Sequence, residues 1–172
     1  MLLSSNVQED NAVLRVDLAN PNIPSHRLRG ELLHVNRLKF IWKAVYYERI
    51  LIRNFDVQDH KLTFAIEFSA DFADLFEVRG RRRTRRGQVS TERRSDSCVA
   101  LRYLGLDGVE RVTSLAFEPA PDRLDDAMAL FELLLKPGQG ARLVLRAACD
   151  PRSQGDTVAR SFYTSLRARS NP

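Results

Sequence analysis

The chain is 172 residues long, enough for one domain with a core of its own and short for two. A hydrophobic share of 44% and a charged share of 28% are those of a globular protein and exclude wholesale disorder. No apolar run approaches the length of a membrane span, so no membrane partner is expected.

The net charge of +5 points to an acidic partner until its location is read. Between Arg79 and Arg94 lie eight arginines and one glutamate, a charge of +7, which leaves −2 for the rest of the chain. The basicity belongs to one segment, read here as a solvated hairpin loop. A nucleic-acid binder would more often spread Lys and Arg over a whole face. Two cysteines, Cys98 and Cys149, form no metal-ligand spacing, and His26, His34 and His60 are scattered. We read two buried thiols in a reducing compartment, and we expect no metal and no cofactor. The start MLLSSNVQED turns polar after three residues, unlike a signal peptide, which makes a soluble cytoplasmic protein the default.

In chain order the dominant period is two. Val13, Arg15 and Asp17 alternate with Leu14, Val16 and Leu18, and Asn20-Pro21-Asn22-Ile23-Pro24 ends that run. Glu31 to Trp42 is extended, with Leu33, Val35 and Arg37 sharing a face. From Ala44 to Asn54, Glu48, Ile50 and Ile52 share one side, and Tyr47, Arg49, Leu51 and Arg53 the other. A short hairpin connection at 54–60 leads to Leu62, Phe64, Ile66 and Phe68 on one face of the next strand. Ser69 to Val78 breaks the pattern and is read as a short helical turn or irregular excursion, in which Asp71 followed by Asp74 resembles an N-cap arrangement. Asp107-Gly108 joins Cys98–Leu106 to Val109–Glu118 as a hairpin, and 137–140 joins Met128–Lys136 to Ala141–Cys149 in the same manner. Residues 118–122 form a rigid, proline-rich connector. From Pro151 the alternation stops; Thr157 to Ala168 reads as a helix with Val158, Phe162, Ser165 and Leu166 on one stripe, fraying at Ser170-Asn171-Pro172. The fold class is therefore all-β, an antiparallel β-sandwich of roughly eight to ten strands. It carries a helical excursion near 69–78 and a helical tail. The expected division is a sandwich over 1–150 and a tail or linker over 151–172.

Four segments in this order resemble the N-terminal domain of bacterial and archaeal glycogen debranching enzymes of the amylo-α-1,6-glucosidase type. They are residues 4–11 (SSNVQEDN) with Val16-Asp17-Leu18 and Asn20-Pro21; Tyr47-Glu48-Arg49 with Arg53-Asn54; residues 71–80 (DFADLFEVRG); and residues 101–108 (LRYLGLDG) with Glu110-Arg111. The resemblance runs to about Cys149. It implies a β-sandwich packed against a downstream (α/α) barrel that hydrolyses α-1,6 branches. The barrel would hold the family's catalytic carboxylates, so no catalytic residue carries over. The family has further strands upstream of this start, so the chain is expected to begin inside the domain and to stop before the barrel. Such a start leaves a sheet edge bare, and bare edges pair with another copy of the chain.

Within the residues themselves, Asp71, Asp74 and Glu77 form the densest carboxylate cluster. Glycoside hydrolysis needs two carboxylates facing each other across the bond, whereas residues three apart on one turn point the same way. Capping, with ion pairs to Arg79, Arg81 or Arg82, is the reading taken; contact with a barrel or with its sugar cleft is the alternative. Arg81, Arg82, Arg83, Arg85 and Arg86 are the polyanion-binding candidates, although no aromatic side chains are interleaved among them. Trp42 is the candidate sugar platform or domain contact, set against plain core packing, which is also the reading for Tyr47. Asn6, Asp10 and Asn11 are read as a polar turn, or as contacts to sugar hydroxyls. Three functions follow: an accessory sandwich beside a barrel, a stand-alone carbohydrate-binding module for an α-glucan, and a nucleic-acid binder through the arginine loop.

Overall fold

The computed structural model of the chain describes residues 1–7, 12–22, 24, 28–149 and 157–170. Period-two alternation produces eleven strands there: β1 (Leu2–Val7), β2 (Val13–Ala19), β3 (Leu33–Trp42), β4 (Val45–Asn54), β5 (His60–Glu67), β6 (Gln88–Ser95), β7 (Cys98–Leu104), β8 (Glu110–Glu118), β9 (Arg123–Leu124), β10 (Met128–Leu135) and β11 (Gly140–Ala148). Two helices accompany them, α1 (Leu75–Val78) and α2 (Val158–Ser170). The strands form an eight-stranded sheet in the order β1-β2-β3-β4-β11-β8-β7-β6 and a three-stranded sheet in the order β5-β10-β9, with every pairing antiparallel. The architecture is the expected all-β sandwich with a helical tail.

The small sheet lies on one face of the large one, called the inner face here. Ile50, Ile52, Val99, Leu101, Leu115, Phe117 and Leu143 from the large sheet meet Leu124, Ala129, Phe131 and Leu135 from the small sheet side in one apolar layer. Phe117 packs edge-on against Phe131 with ring centroids 6.3 Å apart. In β5, Leu62, Phe64 and Ile66 turn inward and alternate with exposed residues, as a sheet with one solvated face requires. The outer face of the large sheet is covered by α2. Phe162, fully buried, sits 5.1 Å from the ring of Phe40 and 6.4 Å from that of Tyr47, and the Tyr47 hydroxyl is 2.9 Å from Ser161 Oγ. A Glu118 carboxylate oxygen accepts from the Ala159 N–H at 2.9 Å, satisfying a free donor in the first turn of the helix. The helical tail is thus part of a second apolar cluster, with Val158, Ala159 and Phe162 against Leu38, Phe40, Tyr47 and Val144.

The structure corrects several expectations. The connections at 54–60 and 137–140 are not hairpins. β4 pairs with β3 and β11, whereas β5 pairs with β10, so both turns carry the chain from one sheet to the other. The reason is Asn54, fully buried at the end of β4. Its Nδ2 donates to Leu135 O at 2.9 Å and Gln58 O at 2.7 Å, and its Oδ1 accepts from the Asp56 N–H at 2.8 Å. Its backbone N–H donates to Gln139 O at 2.9 Å, and its carbonyl accepts from the Gly138 N–H at 3.0 Å. One residue therefore ties both sheet-changing corners together. The arginine-rich segment is not wholly a loop: Gln88–Ser95 is strand β6, paired with β7, because cross-strand pairing satisfies its backbone whatever its side-chain charge. Asn6 lies within strand β1 opposite Arg15 instead of in a turn. The excursion at 69–78 is helical over Leu75–Val78 as expected, but its cap is Asp74 with Glu77 and not Asp71 with Asp74. The cysteines are both free, but Cys98 is half-buried and Cys149 exposed, so they are not a buried pair.

Replacing Asn54 with Ala leaves buried carbonyls without donors and should lower stability by about 3 kcal/mol in urea titrations; a loss under about 1 kcal/mol by the same measure would contradict the clamp. Phe162→Ala should cost about 4 kcal/mol by opening a cavity under α2. Its Phe162→Leu counterpart should cost far less.

Candidate functional site

Two of the concavities among the described residues differ in charge. The first is built by the segment that follows β5. Phe68 crosses the inner face 6.0 Å from Phe117, and Phe72 stacks on Tyr103 at 5.3 Å with the rings 15° apart. These ring contacts fix the chain just ahead of α1. Asp74 then caps that turn: its Oδ1 accepts from the Phe76 and Glu77 N–H groups at 2.9 and 2.8 Å, while Glu77 Oε2 accepts from the Asp74 N–H at 3.1 Å. Arg83 pairs with Asp74 and approaches Glu77 at 3.4 Å, and Arg86 Nη2 lies 2.8 Å from Glu77 Oε1. The basic partners are therefore Arg83 and Arg86, and not the Arg79, Arg81 or Arg82 expected from sequence proximity. The nine-residue reach from acid to base is closed by the turn at Gly80, which adopts φ +95°.

The electrostatic outcome is ionised carboxylates. The Glu77 N–H, and then Arg83, hold Asp74 below its ordinary value; the Asp74 N–H, and then Arg86, do the same to Glu77. Asp71 accepts from the Ala73 N–H at 3.0 Å. Nearby, Arg111 Nη2 sits 2.8 Å from Asp107, and the guanidinium with the Val109 N–H draws that carboxyl down to about 2. Neither Asp74 nor Glu77 is held protonated for acid catalysis. Among the described residues, Arg81, Arg82 and Arg85 form no ion pair. They line an open depression with Phe76, Thr84 and Leu106 in which bases outnumber acids. Leu75, Phe76, Val78 and Leu106 are all exposed around it.

The second concavity is a cleft of about 420 Å³ on the inner face, where the small sheet ends and the β1–β3 wing of the large sheet lies uncovered. Arg37, Glu48 and Glu67 line it together with apolar Leu18, Val35, Ile50, Phe64, Ile66 and Leu145. The Glu48 side chain is 4% exposed. Its Oε1 accepts from Arg37 Nε at 2.5 Å, its Oε2 accepts from the Tyr46 hydroxyl at 2.6 Å, and Lys39 Nζ stands 3.9 Å away. Register explains the cluster: Lys39 is directly opposite Glu48 and Arg37 opposite Ile50, so both cations share the inner face with the carboxylate. Burial, and then Glu48, push the Tyr46 phenol well above its ordinary value, so it stays a donor. The Glu48 bond likewise raises Arg37.

Sequence reasoning placed Glu48 on the apolar side of its strand without assigning it a role. The signal present was a carboxylate in line with Ile50 and Ile52, facing two cations on the preceding strand. The other candidates are spread apart. Trp42 ends β3 at the margin of the cluster beneath α2, with the Lys43 ammonium 5.8 Å from its ring. Asn6 is exposed on the edge strand. Neither is near the acidic turn, which abuts β7, with β4, β11 and β8 standing between that strand and β3. Asp10 and Asn11 lie outside the described residues.

The fold is similar to part of a protein described as a kojibiose phosphorylase from the human microbiome, with TM-score 0.52 and 9% identity over 92% of this chain and 20% of that one. A polysaccharide lyase aligns with TM-score 0.47 and 12% identity over 91% of this chain and 24% of its own. An aldose 1-epimerase homologue from Escherichia coli K12 gives 0.44 and 8% over 86% and 67%. The chain thus spans about a fifth of the first of these proteins. No curated protein sequence matches it. The family model for the N-terminal domain of some glycogen debranching enzymes matches residues 1–146, nearly the whole described sandwich, and the chain belongs to that family.

Proposed function

We propose that this chain is the non-catalytic β-sandwich domain of a cytoplasmic glycogen-debranching glucosidase of the amylo-α-1,6 type, supporting a separate (α/α) barrel and shaping its α-glucan cleft. The observation that carries the reading is the family match over residues 1–146. The carboxylate arrangement supports it. Asp74 and Glu77 share one turn and are bound to Arg83 and Arg86, and Glu48 is buried against Arg37 and Tyr46. Asp74 and Glu77 point the same way from one turn and are both held ionised, so they do not supply the two opposed carboxyls, one kept protonated, that glycosidic cleavage needs.

The end of the sandwich around α1 is the proposed barrel contact. Arg81, Arg82 and Arg85 stand there beside exposed Leu75, Phe76, Val78 and Leu106, a mixed basic and apolar patch suited to a partner with an acidic rim. The same three arginines also support weak, nonspecific binding of a polyanion such as nucleic acid, as a by-product of their charge. The uncovered edge strand β1, with Leu2, Leu3 and Val7 exposed, supports pairing with a second copy of the chain.

The purified chain should release no glucose from a branched limit dextrin above the buffer control, and release that scales with its concentration would overturn the reading. Neutralising Arg81, Arg82 and Arg85 together should leave the thermal midpoint within a few degrees of the parent. It should also flatten the salt dependence of polyanion binding by a slope of about 3, roughly one unit for each guanidinium charge removed. Unchanged salt dependence would remove these side chains from the basic patch.

A further inference from the structure

We propose that the inner-face cleft over Arg37 and Glu48 is a binding site for a neutral saccharide. The inference goes beyond the accessory-domain reading and borrows from it only the choice of a glucan as probe.

Position 48 is an expensive place for a charge. Burying a carboxylate sacrifices hydration, and an ion pair returns that only with good geometry and further hydrogen bonds. A leucine at this position would continue the Ile50–Ile52 stripe with no such cost. The charge instead sits at the floor of an open cleft, and both of its oxygens are engaged, by Arg37 Nε and by the Tyr46 hydroxyl. Its effect is to fix a guanidinium. Arg37 is about one-third exposed, and among the described residues its two Nη groups have no protein acceptor. They are left as a planar pair of donors aimed from a rigid mount, which is the geometry that bidentate contact to adjacent hydroxyl oxygens uses.

Two further features select the ligand class. The walls are apolar, with Val35, Ile50, Phe64 and Leu145 presenting the surface that the C–H face of a pyranose ring buries. The side-chain charges balance: in the lining Arg37 stands against Glu48 and Glu67, and Lys39, just outside it, lies 3.9 Å from Glu48. An anion would gain little here and would favour the arginine depression at the other end, where bases outnumber acids. Directional donors and acceptors in a neutral, half-apolar cleft suit a polyol without charge. Arg37 is the contacting residue and Glu48 the positioning residue.

The test is calorimetric titration of the intact chain with maltotriose and maltohexaose, with amide chemical shifts recorded in parallel. Saturable binding is expected, with shifts concentrated on β3, β4 and β5. Arg37→Met should weaken it at least about tenfold, the loss of a hydrogen bond to a charged group, and Glu48→Gln by a similar factor. Arg37→Lys should recover part of the loss, which a merely structural role would not give. Trp42→Ala and neutralised Arg81, Arg82 and Arg85 should leave affinity unchanged. Flat titrations of a folded chain at tens of millimolar sugar would overturn the site, as would binding indifferent to Arg37→Met or a preference for glucose 1-phosphate abolished by neutralising the arginine depression. If Glu48→Gln fails to fold, Arg37→Met and Arg37→Lys decide alone. Failure here leaves the accessory-domain reading standing, because that reading is judged by hydrolysis.

Discussion

Asn54 ties together the two places at which the chain leaves one sheet for the other. It is fully buried, and its side chain and backbone together bond to Gln58, Asp56, Leu135, Gln139 and Gly138. An amide has two donors and two acceptor sites, and here the donors go to carbonyls from both corners. With both corners locked, β5 and β10 run side by side as an eight-pair antiparallel ladder, and the small sheet is laid over Ile50, Phe117 and Leu143. The apolar layer supplies the driving force. The asparagine decides which strands face each other across it.

That layer also governs where charge is placed. The small sheet covers the centre of the large one and leaves the β1–β3 wing open, so the inner face changes from oil to water across β3 and β4. Glu48, Arg37, Lys39 and Tyr46 occupy this boundary, where a carboxylate can be desolvated and still keep partners. At the opposite end, the segment after β5 is anchored by Phe68 and Phe72, and its acids are consumed by the cap of α1 and by Arg83 and Arg86. One sandwich therefore carries a balanced cleft and a basic rim, on different strands.

Much of this was legible from residues alone. Alternation in Lys61–Phe68 and Ala44–Asn54 placed the inward side chains correctly, and Asp107-Gly108 gave the β7–β8 hairpin, with Gly108 at φ +72°. Gly138 has the same φ, yet its turn changes sheets. Turn chemistry sets the local bend, and long-range burial around Asn54 sets which sheet receives the next strand. The β3–β4 hairpin bends at Lys43 and Ala44, both at positive φ, where no glycine announced it. Strand β6 was hidden by its arginines, since composition spoke louder than pairing. α2 was visible as a stripe, but its docking on Phe40 and Tyr47 needed the outer face of a sheet not yet assembled. Of the candidate site, a carboxylate cap in this segment could be read from spacing, but it was placed at Asp71 and Asp74 and lies one turn later, at Asp74 and Glu77, and the arginine partners depended on a turn. The Glu48 cluster depended on the register between two strands, which periodicity does not supply.

If the acidic turn is scaffolding, its carboxyls must behave as such, and site-resolved carboxyl titration by NMR measures this most directly. Backbone N–H donors and the adjacent guanidinium groups should make Asp74 and Glu77 titrate below their ordinary values. Either of them titrating near neutrality, as the general acid of a glycosidase does, would contradict a scaffolding role.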